Sequence, residues 1–239
     1  MSYRWNPWHG CHKITPGCQN CYVYSMDEGY GRNGGDIGKN KDFSAPISKD
    51  RNGSYRFHSG ETVQTCFTSD FLLEEADDWR ADAWKIIKIR SDLSFFFITK
   101  RISRFKECIP ADWGNGYPNV TVGCTVEDQV RAEERLPIFL KAPIRKKLII
   151  CAPLLEKIDL SGFLGDWVDE LSVGGESGKN ARICDYDWVL SLREQAVNAG
   201  VSFTFHQTGS NFIKDGVLYK IPRQMQLEQA KKAEIDWKK

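Results

Sequence analysis

Val120-Thr-Val-Gly-Cys-Thr-Val-Glu-Asp-Gln-Val-Arg-Ala-Glu-Glu-Arg-Leu-Pro-Ile-Phe-Leu-Lys-Ala-Pro-Ile-Arg-Lys-Lys-Leu-Ile-Ile-Cys151 decides the class of fold. Its two ends, Val120 to Cys124 and Lys147 to Cys151, are short apolar runs of strand length. The stretch between them, from about Glu127 to Leu140, has the length and composition of a helix. Strand, helix and strand in so short a span make a βαβ unit, whose strands run parallel.

The same alternation continues on both sides. Upstream, Val63 to Thr68 reads as a strand, and Leu72 to Arg90 reads as a helix with Trp79, Ala83, Trp84, Ile86 and Ile87 as its apolar stripe. Phe95 to Thr99 is a strand of the kind buried on both faces, and Ser103 to Cys108 is a short helix. Downstream come a short helical stretch before Trp167 and a strand from Leu171 to Gly175. A helix follows that Asp185 caps and Gly200 ends beyond Ala199, and then a last strand from Val201 to His206. This series predicts an α/β fold with a mainly parallel sheet and outer helices, as a partial or full (βα) barrel of the TIM type. No Gly-x-Gly-x-x-Gly follows a strand, so the dinucleotide-binding fingerprint is absent. One domain over residues 1–239 is expected, with a Gly-, Asn- and Lys-rich loop excursion at about 29–60 and a charged, helical tail at about 224–239.

Hydrophobic residues make up 41% of the 239 residues, enough for a packed core. Lys plus Arg is 33 against 32 Asp plus Glu, which excludes a uniformly basic coat for nucleic acid. The opening Met-Ser-Tyr-Arg-Trp-Asn-Pro-Trp-His-Gly lacks the apolar core of a signal peptide, and no apolar run has the length of a membrane span. A cytoplasmic protein with reduced thiols and no membrane partner is expected.

Of the 8 cysteines, Cys66, Cys108, Cys124, Cys151 and Cys184 are scattered singly in apolar surroundings and read as core residues. Cys11-His-Lys-Ile-Thr-Pro-Gly-Cys18-Gln-Asn-Cys21 differs: so many thiols so close in a reducing compartment point to a soft metal. Zinc would take Cys11, Cys18 and Cys21 with His9 or His12 as the fourth ligand. An iron–sulfur cubane on the same cysteines would leave one iron open to a small ligand. The spacing leaves both possibilities standing.

Polar residues recur just after the strands: Thr68-Ser69-Asp70, Thr99-Lys100-Arg101, Thr125-Val-Glu127-Asp128, Gly174-Gly175-Glu176-Ser177-Gly178 and His206-Gln207-Thr208-Gly209. Any one cluster is ordinarily a helix cap or a solvated loop. Parallel barrels gather such strand ends at one mouth, so the recurrence outlines a site. Lys100 and Arg101 suit a carboxylate or phosphate, and Glu176 beside glycines suits an amine or ribose hydroxyl.

Trp5-Asn-Pro-Trp-His-Gly-Cys-His-Lys-Ile-Thr-Pro-Gly-Cys-Gln-Asn-Cys-Tyr22 resembles the opening motif of the three-Cys-motif, phage-type family of radical-SAM-like proteins. Ile98-Thr-Lys-Arg101, Asn119 to Gln129, Pro153-Leu-Leu155, Val173 to Gly178 and Phe205 to Gly209 resemble its later segments in order. The resemblance implies a radical-SAM-type barrel with a [4Fe-4S] cluster on Cys11, Cys18 and Cys21. It also implies S-adenosyl-L-methionine on the open iron, cleaved to a 5′-deoxyadenosyl radical with an electron from a donor such as flavodoxin or ferredoxin. Ser69, Asp70, Lys100, Arg101, Gly174, Gly175, Glu176 and Ser177 would then contact the cofactor. Glu127, Asp128, His206 and Gln207 would face an unidentified substrate, and no catalytic residue is assigned. The chain departs from the pattern at Asn20, where an aromatic usually precedes the third cysteine, and at Ala152, where relatives commonly carry an acid.

A reading of a different class is a non-catalytic zinc or iron–sulfur protein that binds nucleic acid. Lys13, Arg32, Lys39, Lys41, Lys49, Arg51 and Arg56, interleaved with Tyr30, Phe43 and Tyr55, have the residue types for phosphate contact and base stacking. The two readings merge if nucleic acid is the radical's substrate.

Overall fold

The computed structural model describes residues 2–239. Its strands are Ser2–Trp5 (β1), Trp8–His9 (β2), Gly38–Lys39 (β3), Thr62–Thr65 (β4), Ser94–Thr99 (β5), Val120–Thr125 (β6), Lys146–Cys151 (β7), Glu170–Gly174 (β8), Ile183–Asp185 (β9), Ser202–Gln207 (β10), Asn211–Lys214 (β11) and Val217–Lys220 (β12). Its α-helices are Tyr22–Gly29 (α1), Asp77–Ile89 (α2), Phe105–Cys108 (α3), Gln129–Lys141 (α4), Tyr186–Asn198 (α5) and Arg223–Lys232 (α6). Seven strands hydrogen-bond in the order β1-β4-β5-β6-β7-β8-β10. The order follows the chain without reversal, so the switch point of a doubly wound sheet is missing. The expected α/β class with a mainly parallel sheet therefore holds. Among the described residues no helix is long and apolar enough to cross a membrane.

Two compact units interleave along the chain. The first comprises the chain up to His12, Val23–Gly123 and Ala142–Lys146, and the second comprises Lys13–Tyr22, Cys124–Lys141 and Lys147–Lys239. In the first unit Tyr3, Val63 and Phe95 stand in register across β1, β4 and β5. Val63 and Phe95 are fully buried, as are Phe71 and Phe97, whose rings stack at 4.5 Å. α2 adds Trp84, 4.9 Å from Phe71, along with buried Ala83, Ile86 and Ile87. In the second unit the register rows alternate. Ile149, Leu171 and Phe203 form a buried row across β7, β8 and β10, while in the next row Ser172 and Thr204 are only partly buried and Ile150 is buried. A parallel sheet covered on both sides shows no such alternation, so one face of β8 and β10 is more open than the other, while the end of β7 is covered on both.

Three local expectations differ from the structure. The helix expected from Leu72 begins at Asp77, because buried Arg80 takes the carbonyls of Phe71 and Leu73 that a helical turn would need. No helix forms before Trp167. Leu154, Ile158, Leu160 and Leu164 are buried there, but the backbone donors of Leu154, Leu155 and Leu160 go to Gly174 O, Glu127 O and Gln195 Oε1. The hairpin β11–β12 was not expected, although it turns through Asp215 and Gly216 at φ +52° and +74°, the pair such a turn favours.

The excursion at 29–60 is tied down at its middle. Trp5 Nε1 donates to Phe43 O at 2.9 Å, and Arg90, 1% exposed, donates to the carbonyls of Pro46 and Phe57 and to both oxygens of Asp92. These bonds hold the Asp92 carboxyl well below the usual carboxylate range. The tail is tied too: Trp237 pairs with Phe203 in both directions, and buried Gln226 anchors α6.

The Asp185 side chain accepts from Asp187 N at the start of α5, the capping expected of it. Asp185→Ala is expected to destabilise the protein by about 1 kcal/mol in urea unfolding, while Asp185→Asn should change it little.

Candidate functional site

In the first unit Cys11 is held from several sides. Its N–H donates to Gly34 O at 2.9 Å, and its own carbonyl accepts from Tyr24 Oη. A Cβ on Gly34 would lie 2.8 Å from the Tyr24 ring, so the Gly-rich start of the excursion is what lets Tyr24 reach Cys11. Gly10, at φ +86°, has Asp36 O where a side chain would begin. The strand ends contribute as well. Asp70, after β4, accepts from Thr99 Oγ1 at 2.7 Å, Leu72 N and Lys100 N at 2.9 Å, and Arg101 Nη1 at 3.2 Å. Arg101 in turn places Nη1 3.4 Å from Cys11 Sγ and donates through Nη2 to His12 O at 2.9 Å. Burial works against the Arg101 charge, but Asp70 and Cys11 outweigh it and raise its pKa. Ser69 donates to Gly10 O. His9 and His12, the residues considered for zinc, pair through Nε2 with Asp27 at 2.7 Å and Glu75 at 2.5 Å.

In the second unit the chain carrying Cys18 and Cys21 is gripped by two carboxylates. Glu127, after β6, has no solvent exposure. Its Oε2 lies 2.8 Å from Arg135 Nη1, and its Oε1 accepts from Thr15 Oγ1. A Cβ on Gly17 would meet the Glu127 carboxyl at 2.8 Å, so only glycine fits the wrap of Thr15-Pro16-Gly17-Cys18 around that group. Cys18 Sγ lies 3.8 Å from Thr15 Oγ1, and Cys21 N donates back to Cys18 O. Glu176, after β8, accepts from Asn20 Nδ2 at 3.0 Å and is bridged by Arg182 through Nε and Nη2. Burial pushes the Glu176 carboxyl up, but the bonds from Arg182 and Asn20 pull it below the ordinary glutamate value.

The remaining candidates divide by role. Asp128 accepts from Arg131 N at 2.7 Å and caps α4. Gly174 and Gly175 accommodate close approach, of the His206 ring and of Thr208 O respectively. Gln207 donates to Gly175 O at 2.7 Å, and Ser177 bonds Gln226. Lys100 is used through its backbone N–H. In the excursion Lys39, Lys49 and Arg32 stack on the chain's own Phe43, Tyr55 and Tyr30. Thr15, Asn20, Arg135 and Arg182 take part in the site without having stood out in the sequence: the partners of Thr15 and Asn20 are far away along the chain, and those of Arg135 and Arg182, though near, follow no motif.

Among the described residues none of the 8 cysteines is in a disulfide. Cys11, Cys18 and Cys21 are partly exposed, and the other five are buried as expected. Burial pushes the Cys184 thiol up to about 12 and raises those of Cys66, Cys108 and Cys151. Three undisulfided thiols within one loop are donors that fit a soft metal or iron–sulfur group. Among the described residues no three His, Cys, Asp or Glu side chains are gathered as a metal-holding group.

Residues 1–236 match the model of the family described as Protein of unknown function (DUF5131). The chain belongs to that family. No curated protein and no solved structure matches it.

One feature of this DUF5131 chain stands apart from the cysteine loop. The β8–β10 register shifts between Phe205 and Gln207, so His206 occupies a bulge, a device that re-aims a side chain. Its Nδ1 lies 3.0 Å from Ser172 Oγ, and burial lowers its pKa to about 4.

Two outcomes follow for the DUF5131 chain. Arg135→Met leaves a buried carboxylate unpaired and is expected to cost about 3–5 kcal/mol in chemical unfolding, part of which Glu127→Gln in the same chain restores. His206 takes up its proton near pH 4 when folded and near the ordinary imidazole value of 6.5 when unfolded. Its contribution is therefore full above about pH 6.5 and lost as pH falls toward 4. Unfolding curves of His206→Gln should lack that part of the acid loss seen in the parent.

Proposed function

We propose that this protein is a radical S-adenosylmethionine enzyme acting on an unidentified substrate, with Cys11, Cys18 and Cys21 as the ligands of a [4Fe-4S] cluster. One observation carries the reading: the three motif cysteines are the partly exposed thiols, and the chain around them is pinned by strand-end groups. The chain-ordered sheet is the winding a partial (βα) barrel of this type uses. When bound, the cluster and S-adenosylmethionine would supply one-electron cleavage of a carbon–sulfur bond, with a flavodoxin- or ferredoxin-type donor giving the electron and methionine leaving.

The chain's own residues do the holding. Arg101, oriented by Asp70, presents a cation to the Cys11 sulfur, the environment a thiolate ligand requires. Glu127 holds the chain before Cys18 through Thr15, and Glu176 holds the chain before Cys21 through Asn20. In this reading both glutamates position the ligands. His206, uncharged at neutral pH, sits beside Ser172 with Nε2 close against Gly174, and in this reading serves the substrate side.

Anaerobic purification followed by iron and sulfide analysis tests the proposal. Iron and sulfide in the ratio of a cubane are expected, lost in each of Cys11→Ala, Cys18→Ala and Cys21→Ala but retained in Cys108→Ala. Dithionite and S-adenosylmethionine should then release 5′-deoxyadenosine. One zinc per chain without iron overturns the proposal.

A further inference from the structure

The second unit contains an open cavity of about 480 Å³ that the proposed chemistry does not use. Its floor is aromatic: buried Phe205 and Phe212 pack with Tyr186 at ring separations of 5.7 to 6.4 Å. Tyr219 of β12 lines the cavity while 47% exposed, a large ring left without cover. Lys214, Lys220 and Lys232 complete the lining, and no Asp or Glu is among the lining residues. Lys214 Nζ stands 5.2 Å from the Tyr186 ring, and among the described residues neither Lys214 nor Lys220 has an ion-pair partner. Lys232 pairs only with Glu228, and both side chains are mostly exposed, a pairing that competes weakly with a bound anion.

The combination restricts the ligand. Inorganic phosphate would satisfy the lysines but leave the aromatic surface wet. A neutral aromatic would cover the rings but leave the Lys214 and Lys220 ammonium groups unbalanced. A volume of this size takes a molecule with both parts. We propose that this cavity binds a nucleoside phosphate, with the base stacked on the Tyr186 and Tyr219 rings and the phosphate set among Lys214, Lys220 and Lys232. Gln229, also in the lining, has an amide suited to the edge of a base or to a ribose hydroxyl.

The test is calorimetric titration of the full chain, as purified, with AMP and UMP, and with adenosine and inorganic phosphate as half-ligands. Saturable binding of a nucleotide is expected, with each half-ligand roughly tenfold weaker or worse. Lys214→Gln with Lys220→Gln should weaken the nucleotide about tenfold and flatten its salt dependence. Tyr219→Ala should weaken it roughly tenfold without changing the salt dependence. All three positions border solvent, so unchanged melting temperatures are expected. No saturable nucleotide binding overturns the proposal, as does phosphate binding as well as AMP. Nucleotide binding that the variants leave intact lies elsewhere on the molecule and also overturns it. Metal content plays no part in the measurement, so its outcome is independent of the cluster assignment.

Discussion

Glu127 carries a carboxylate into a place with no solvent, and much of the second unit answers that charge. Burying an ion is expensive unless every lone pair is met by a donor. Arg135, one helix turn and more along α4, meets one oxygen while also taking the carbonyl of Thr125. Thr15 meets the other, and Gly17 is bare so that the carboxylate lies against the chain. The segment leading to Cys18 therefore follows the outline of a charged group at a strand end. Glu176 repeats the arrangement with Arg182 and Asn20, in a less enclosed setting.

Asp70 does the corresponding work in the first unit with different partners. Its four acceptor bonds take in two backbone N–H groups, a hydroxyl and a guanidinium, so both oxygens are met, mostly by the chain that follows the neighbouring strand β5. The polar strand ends are thus mostly committed to holding other protein groups. His206 is different: a bulge lifts it out of the ladder, and its Nδ1 meets the hydroxyl of Ser172.

The β-α series was legible because strand and helix signals are local. Phe95 to Thr99 has no other reading, and Asp185 and Gly200 mark the limits of α5 through their own backbone needs. The buried cysteines were legible by the same logic. What escaped was set by distant partners. The leucines and isoleucine between 154 and 164 have a spacing that a helix would accept, yet the backbone donors of Leu154, Leu155 and Leu160 are claimed by residues on other elements. Glu127 and Glu176 were found as site residues, but the groups they hold are 112 and 156 positions away, and no spacing rule links such pairs. The Gly-rich excursion likewise looked like loose chain, and its hold on Cys11 through Gly34 becomes visible only in three dimensions.

The interleaving of the two units also orders events during synthesis. The first unit draws its last segment from Ala142–Lys146 and has all its parts once that stretch has left the ribosome. The second unit begins at Lys13 but lacks the last strand of its parallel sheet until residues 202–207 emerge, and lacks the Trp237 pairing until later still. At translation speeds of roughly 5–20 residues per second, Cys18 and Cys21 wait several seconds after Cys11 has its full surroundings. Over that interval Cys18 and Cys21 belong to a unit still short of strands, whereas Cys11 already has every residue of its own.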